Sequence, residues 1–132
     1  MLSLILILAG YLWTLPNTLL GLAFAPLALL SGGRVRCERG AVEIHGGLVR
    51  LFLRHCLLVR ASALTLGQVI LGQDRECLDH ARDHEHVHVR QFMRWGPFML
   101  PAYFLASFVA WYRGGNFYFD NCFEKEAYGL FP

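Results

Sequence analysis

No charged side chain occurs in the first 33 residues. A run of that length exceeds the roughly 20 residues that span a bilayer. It is also too long for a signal-peptide core of about 7 to 15 residues, and it lacks the basic start of one. The chain has no glycine-rich phosphate loop and no Gly-x-Ser-x-Gly elbow, which removes the sequence grounds for phosphate cradling and for serine hydrolysis. Its four cysteines, Cys37, Cys56, Cys77 and Cys122, form no Cys-x-x-Cys pair. That excludes a zinc ribbon by spacing and fits a reducing compartment. A net charge of +2 is too small to draw in nucleic acid, so the arginines read better as membrane-proximal anchors.

What is present is apolar. Of 132 residues, 55% are hydrophobic, which implies a membrane protein of one modest domain. A helical hairpin buried in a soluble core fits poorly in a chain this small. Residues 1–33 form the membrane-inserted segment; Pro16-Asn17 and Pro26 interrupt it, so it is one kinked transmembrane span or a tight hairpin of two short helices. After it, Arg34, Arg36, Arg39, Arg50, Arg54 and Arg60 outnumber Glu38 and Glu43. By the positive-inside tendency this places the following residues, 34–132, on the cytoplasmic side.

Between the apolar start and residue 72 the sequence predicts strands at Arg34 to Glu38, Ala41 to His45, Leu48 to Val59 and Ala63 to Leu71. Glycines at Gly40, Gly46-Gly47 and Gly72 mark the turns. The expected fold class is α+β, with helices packed on a small antiparallel sheet.

Residues 84 to 88 read His84-Glu85-His86-Val87-His88, a His-Glu-x-x-His signature inside a segment with clear helix boundaries. Asp74 is a good N-cap, and Gly96-Pro97 supplies the stop, so a helix is predicted from Arg75 to Trp95. Cys77, Leu78, Ala81, His84, His88, Phe92 and Trp95 share one stripe of it, opposite Arg75, Asp79, Arg82, Asp83, His86 and Arg90. Residues four apart stack on one face, so His84 and His88 can aim at one ion. Glu85, turned about 100° away, can reach a metal-bound water as general base without displacing a ligand. The alternative is a pair of buried histidines satisfied by backbone carbonyls. His86 reads as a solvated residue near Arg82 and Arg90. His80 is about 12 Å along the axis from His88, too far to share an ion with it, and is a supporting or merely exposed residue.

A catalytic Zn2+ usually keeps three protein ligands and an open position. Glu124 is the candidate for the third, on a helix beginning near Asn121. An equally simple reading makes Asn121 an N-cap and Glu124 its capping-box partner, with no metal involved. Glu126 would point away.

The pattern His84-Glu85-x-x-His88-x-x-Gln91, followed by Glu124-x-x-Ala127, resembles the two-helix active site of small membrane-associated gluzincin metallopeptidases. The resemblance covers roughly Ala63 to the C-terminus. It implies a zincin-like fold, Zn2+ as cofactor with His84, His88 and Glu124 as ligands, Glu85 as the catalytic base, and a peptide or protein substrate. It also implies that the strand before the motif helix is an edge to which substrate adds. Tyr128 stands where many relatives carry an acidic residue or asparagine, which leaves the carboxylate that steadies a ligand unassigned. An oxyanion stabiliser is expected among Tyr103, Tyr112, Tyr118 and Tyr128.

One internal requirement follows. Pro97 to Tyr112 is a second apolar stretch, about 24 Å long if helical. If it crossed the membrane, Glu124 would lie on the opposite side from His84 and His88, so the segment must dip in and return or lie along the interface. Two other functional classes make different demands: a metal-binding membrane protein without catalysis, in which Glu85 is dispensable, and a metal-free membrane scaffold using Phe92, Trp95, Phe98 and Tyr103.

Overall fold

The uncharged run folds as three short helices in the computed structural model, which describes residues 1–57 and 61–129. These are α1 (Leu2–Trp13), α2 (Leu15–Leu22) and α3 (Phe24–Leu30). Pro16 sits in the first turn of α2, where a missing N–H costs no hydrogen bond. The chain bends by 56° between α1 and the α2–α3 stretch. Among the described residues no single helix is long and apolar enough to cross a membrane, whereas the bent pair Leu2–Trp13 and Leu15–Leu30 has the length and composition to do so.

The three helices differ in what they cover. No residue of α1 is buried, and Leu2, Leu4, Ile5, Leu6, Ile7 and Leu8 all stand exposed. By contrast α2 and α3 lie on the body of the protein. Ala28 joins Ile44, Val49, Leu53, Leu66, Val69 and Leu71 in one core. Gly21 is pressed so closely on Val69 that a Cβ there would meet it at 2.6 Å. The core therefore runs across the 33/34 boundary, and the uncharged run belongs partly to it.

Strands β1 (Arg34–Glu38) and β2 (Ala41–His45) match their predicted bounds. They are joined by Arg39-Gly40, both at positive φ, as a two-residue hairpin turn requires. The expected strand Ala63 to Leu71 is instead two, β3 (Ala63–Leu66) and β4 (Val69–Gly72), folded back on each other at Gly67, where φ is +62°. The sheet order is β1-β2-β4-β3, with β3 at one edge.

The sheet is mixed rather than antiparallel, because β2 and β4 run parallel with Val42 opposite Val69 and His45 opposite Gly72. A parallel return needs a long connection. It is supplied in part by α4 (Gly47–His55), which occupies most of the stretch read as the strand Leu48 to Val59; Leu58 and Val59 lie outside the described residues. Val49 and Leu53, four apart, are its buried positions, which is a helical period and not an alternating one.

Helix α5 (Arg75–Trp95) has the predicted bounds. Asp74 caps it by accepting from the Cys77 amide at 2.8 Å, and Gly96 ends it at a φ of +57°. Its inward face holds Leu78, Glu85, His88, Val89, Gln91 and Phe92, and it packs on β3 and β4. Arg82, on its polar side, meets a partner in the sheet: its Nε lies 2.8 Å and its Nη2 3.0 Å from the carboxylate of Glu43, which is fully buried on β2 and also takes a 3.2 Å bond from Arg36. A short 3-10 turn (Gly96–Phe98) then leads into α6 (Met99–Tyr112), and α7 (Cys122–Ala127) comes back against α5 and α6.

Candidate metal centre

Three side chains from two helices converge. His84 and His88 are one turn apart on α5 with Nε2 atoms 3.2 Å from each other. Glu124, 40 residues after His84, brings Oε2 to 3.1 Å from His84 Nε2 and Oε1 to 3.2 Å from His88 Nε2. Ligands about 2.0–2.2 Å from a tetrahedral zinc lie about 3.4 Å from one another, so the three donors already stand close to the spacing of one ion's coordination triangle. The group can hold a metal ion.

Glu124 is not a capping-box partner. Asn121 caps α7 by accepting from the Phe123 amide at 2.8 Å, while Glu124 turns inward, 3% exposed. The Tyr103 hydroxyl on α6 donates to its Oε1 at 2.7 Å. Asn121 in turn fastens α7 to α6 by donating to the Tyr103 carbonyl and the Ser107 hydroxyl. The chain therefore folds back after α6 and sets α7 against α5. Burial opposes the charge on Glu124, but hydrogen bonds with His84, His88 and Tyr103 outweigh it and hold the carboxyl down at about 2.

Glu85 is buried beside the triangle. Burial raises its pKa above the ordinary carboxylate range, against the lowering influence of His88 and of a bond from Thr65. The Thr65 hydroxyl, on β3, donates to Glu85 Oε2 at 2.6 Å and lies 3.2 Å from the Glu85 carbonyl. Burial also works against a charged His88, yet Glu124 and Glu85 together lift its pKa above 6.5. Three acceptors facing one another attract a proton when no cation is supplied.

Comparison with family models, with curated proteins and with solved structures gives no match. The chemistry of this cluster therefore rests on its own geometry.

The remaining predicted residues separate clearly. Of the four tyrosines, Tyr103 touches Glu124 and Tyr128 lays its ring 4.3 Å from that of His84, with its hydroxyl 3.2 Å from Tyr118. Tyr112 stands exposed at the far end of α6. His80 is exposed and bonds only the Glu76 carbonyl one turn back. His86 lies near Arg82 and Arg90 as expected but is only partly exposed: its Nε2 is buried without a partner among the described residues, and burial with the nearby Arg39 pushes its pKa down. No cysteine joins the cluster; Cys77 lies at the start of α5, partly buried, and Cys37, Cys56 and Cys122 are exposed free thiols. A groove of about 690 Å³ between α6 and α7 includes Trp95, Ala106 and Phe123, and none of the three donor residues lines it.

Two contributors escaped the sequence reading. Thr65 was hidden in a strand pattern, and its hydroxyl on an otherwise apolar β3 was the available signal. Glu126, read as pointing away, does turn from the triangle but accepts from Gln91 at 3.0 Å.

Proposed function

We propose that this chain is a membrane-bound zinc metallopeptidase in which His84, His88 and Glu124 hold Zn2+ and Glu85 is the catalytic base. The carrying observation is the return of Glu124, across an apolar helix, to within 3.2 Å of both histidines. A bound Zn2+ would supply Lewis acidity, bringing a water's pKa to about 7 and polarising a peptide carbonyl. Glu85 would take the proton of that water and deliver it to the departing amine. Thr65 orients the carboxylate, and Tyr103, bonded to Glu124, and Tyr128, against the His84 ring, are the tyrosines near enough to stabilise an oxyanion. Strand β3 lies at the edge of the sheet, where an extended substrate would add as a further strand.

Lipid is the expected surroundings of α1 and of the outer face of α6, where Phe104, Leu105, Phe108, Trp111 and Tyr112 are exposed between Arg94 and Arg113. The arginine-rich stretch after residue 33 favours the cytoplasmic side.

Metal analysis of the detergent-purified protein tests the reading. Near one zinc per chain is expected, lost in His88→Ala and in Glu124→Gln. Glu85→Gln should keep the zinc and abolish peptide hydrolysis. An unchanged function in Glu85→Gln with zinc retained would leave a metal-binding membrane protein without catalysis, and a zinc-free wild type would sink both.

A further inference from the structure

We propose that Gln91, held by Glu126 and the Phe123 carbonyl, is a positioning residue that fixes the neutral His88 ring as the Nδ1–H tautomer, so that its Nε2 lone pair faces the metal. The purpose of this device rests on the zinc reading above; the tautomer itself does not.

The assignment follows from which atoms can donate. Gln91 is 1% exposed and sits three residues after His88 on α5. Its amide nitrogen lies 3.0 Å from the Phe123 carbonyl oxygen and 3.0 Å from Glu126 Oε1. Both partners only accept, and the amide has two hydrogens to give, so both are used. Rotating the amide would set its oxygen against those two oxygens. Gln91 Oε1 must therefore be the atom 2.8 Å from His88 Nδ1. An amide oxygen cannot donate, so Nδ1 carries the hydrogen. A neutral imidazole has only one, and Nε2 is left bare, 3.2 Å from His84 Nε2 and from Glu124 Oε1.

His84 is treated differently. Its Nδ1 is buried with no partner among the described residues, so no acceptor holds a hydrogen there. With no cation present, His84 can place its hydrogen on Nε2 and donate to Glu124, and it can move that hydrogen to Nδ1 when a metal takes the lone pair. One ligand is preset and the other adapts. The same Gln91 amide ties the third ligand in, since Phe123 and Glu126 lie either side of Glu124 on α7. Glu126 is itself 3.8 Å from Arg94. This supplies the carboxylate that Tyr128 could not provide, one amide removed from the histidine.

Removing a group that orients a metal-bound histidine typically weakens metal affinity 10- to 100-fold. The test is long-range 1H–15N NMR of the imidazoles in the metal-free, detergent-solubilised protein at a pH where the rings are neutral. His88 should show a protonated Nδ1 and a bare Nε2 in the wild type, a mixture of tautomers in Gln91→Met, and the original pattern again when Gln91→Glu is combined with Glu126→Gln, which exchanges amide and carboxylate but keeps an acceptor at Nδ1. Zinc titration should then show 10- to 100-fold weaker binding in Gln91→Met with recovery in the double variant. A wild-type His88 protonated on Nε2 or present as a mixture overturns the proposal without any variant being needed, as does an unchanged tautomer in folded Gln91→Met. The expected tautomer in a wild type that binds no zinc would support this assignment while removing the peptidase reading.

Discussion

At the scale of single residues, the base of the proposed reaction depends on a neighbour that is not charged. Thr65 spends its one hydrogen on Glu85, at 2.6 Å from the carboxylate and within reach of the carbonyl. That bond lowers the pKa of Glu85, while burial raises it. Thr65→Val keeps the shape and deletes the donor, so the Glu85 pKa should climb further. The acidic limb of the pH profile of kcat/KM should move to higher pH, and stability should fall by about 1–3 kcal/mol, the cost of a buried acceptor left unpaired. Thr65→Ser should restore the limb. An acidic limb that stays in place in Thr65→Val would mean that Glu85 does not set it.

Between elements, a buried electrostatic tie joins Glu43 on β2 to Arg82 on α5, with Arg36 on β1 as a third member. Burial opposes the Glu43 charge, but the two guanidiniums outweigh it and leave the carboxyl below its ordinary value of 4.5. A lowered folded-state pKa means stability that is fully present above about pH 4.5 and is lost as the pH falls through the lowered value. Glu43→Gln should cost about 1.5–3 kcal/mol at neutral pH by weakening charge-assisted bonds from two guanidiniums that keep only Asp79 and Glu38 nearer the surface as partners, and its melting temperature should vary less between pH 5 and pH 3 than that of the wild type. A wild-type melting temperature flat over that range would remove the tie from the account. The elements themselves were unequally legible. Helix α5 announced both ends, because Asp74 and Gly96 each do something that few other residues do at a terminus. The β1–β2 pair was equally plain. The misreadings have physical causes: α4 is short and its two buried residues, Val49 and Leu53, sit in a run apolar enough to pass for a strand, and one glycine, Gly67, had to be weighed as a hairpin turn. The pairing of β2 with β4 joins residues far apart in sequence and leaves no local trace. In the three-donor cluster the two histidines were legible from spacing alone, whereas choosing the inward orientation of Glu124 over a cap needed the packing of α6 and α7.

Across the whole molecule, the uncharged run and the remainder fold together. Asn17 donates to the Gly96 carbonyl at 2.9 Å, Trp13 lies against Gly96, and the Thr18 hydroxyl accepts from the Gln68 amide at 3.1 Å. Residues 34–132 expressed alone should therefore lose cooperative thermal unfolding by near-UV circular dichroism, since Ala28 and its neighbours leave the core open. A sharp, native-like transition in that fragment would show instead that the run is only an appendage. The grip of Asn17 on the last turn of α5 also bears on inheritance. Exchanging the first 33 residues for an unrelated apolar segment would preserve the composition of the run but strand the Gly96 carbonyl and the Gln68 amide. The uncharged run and α5 must therefore vary together, and lineages carrying this chain should show coupled substitutions at those contacts in place of domain shuffling.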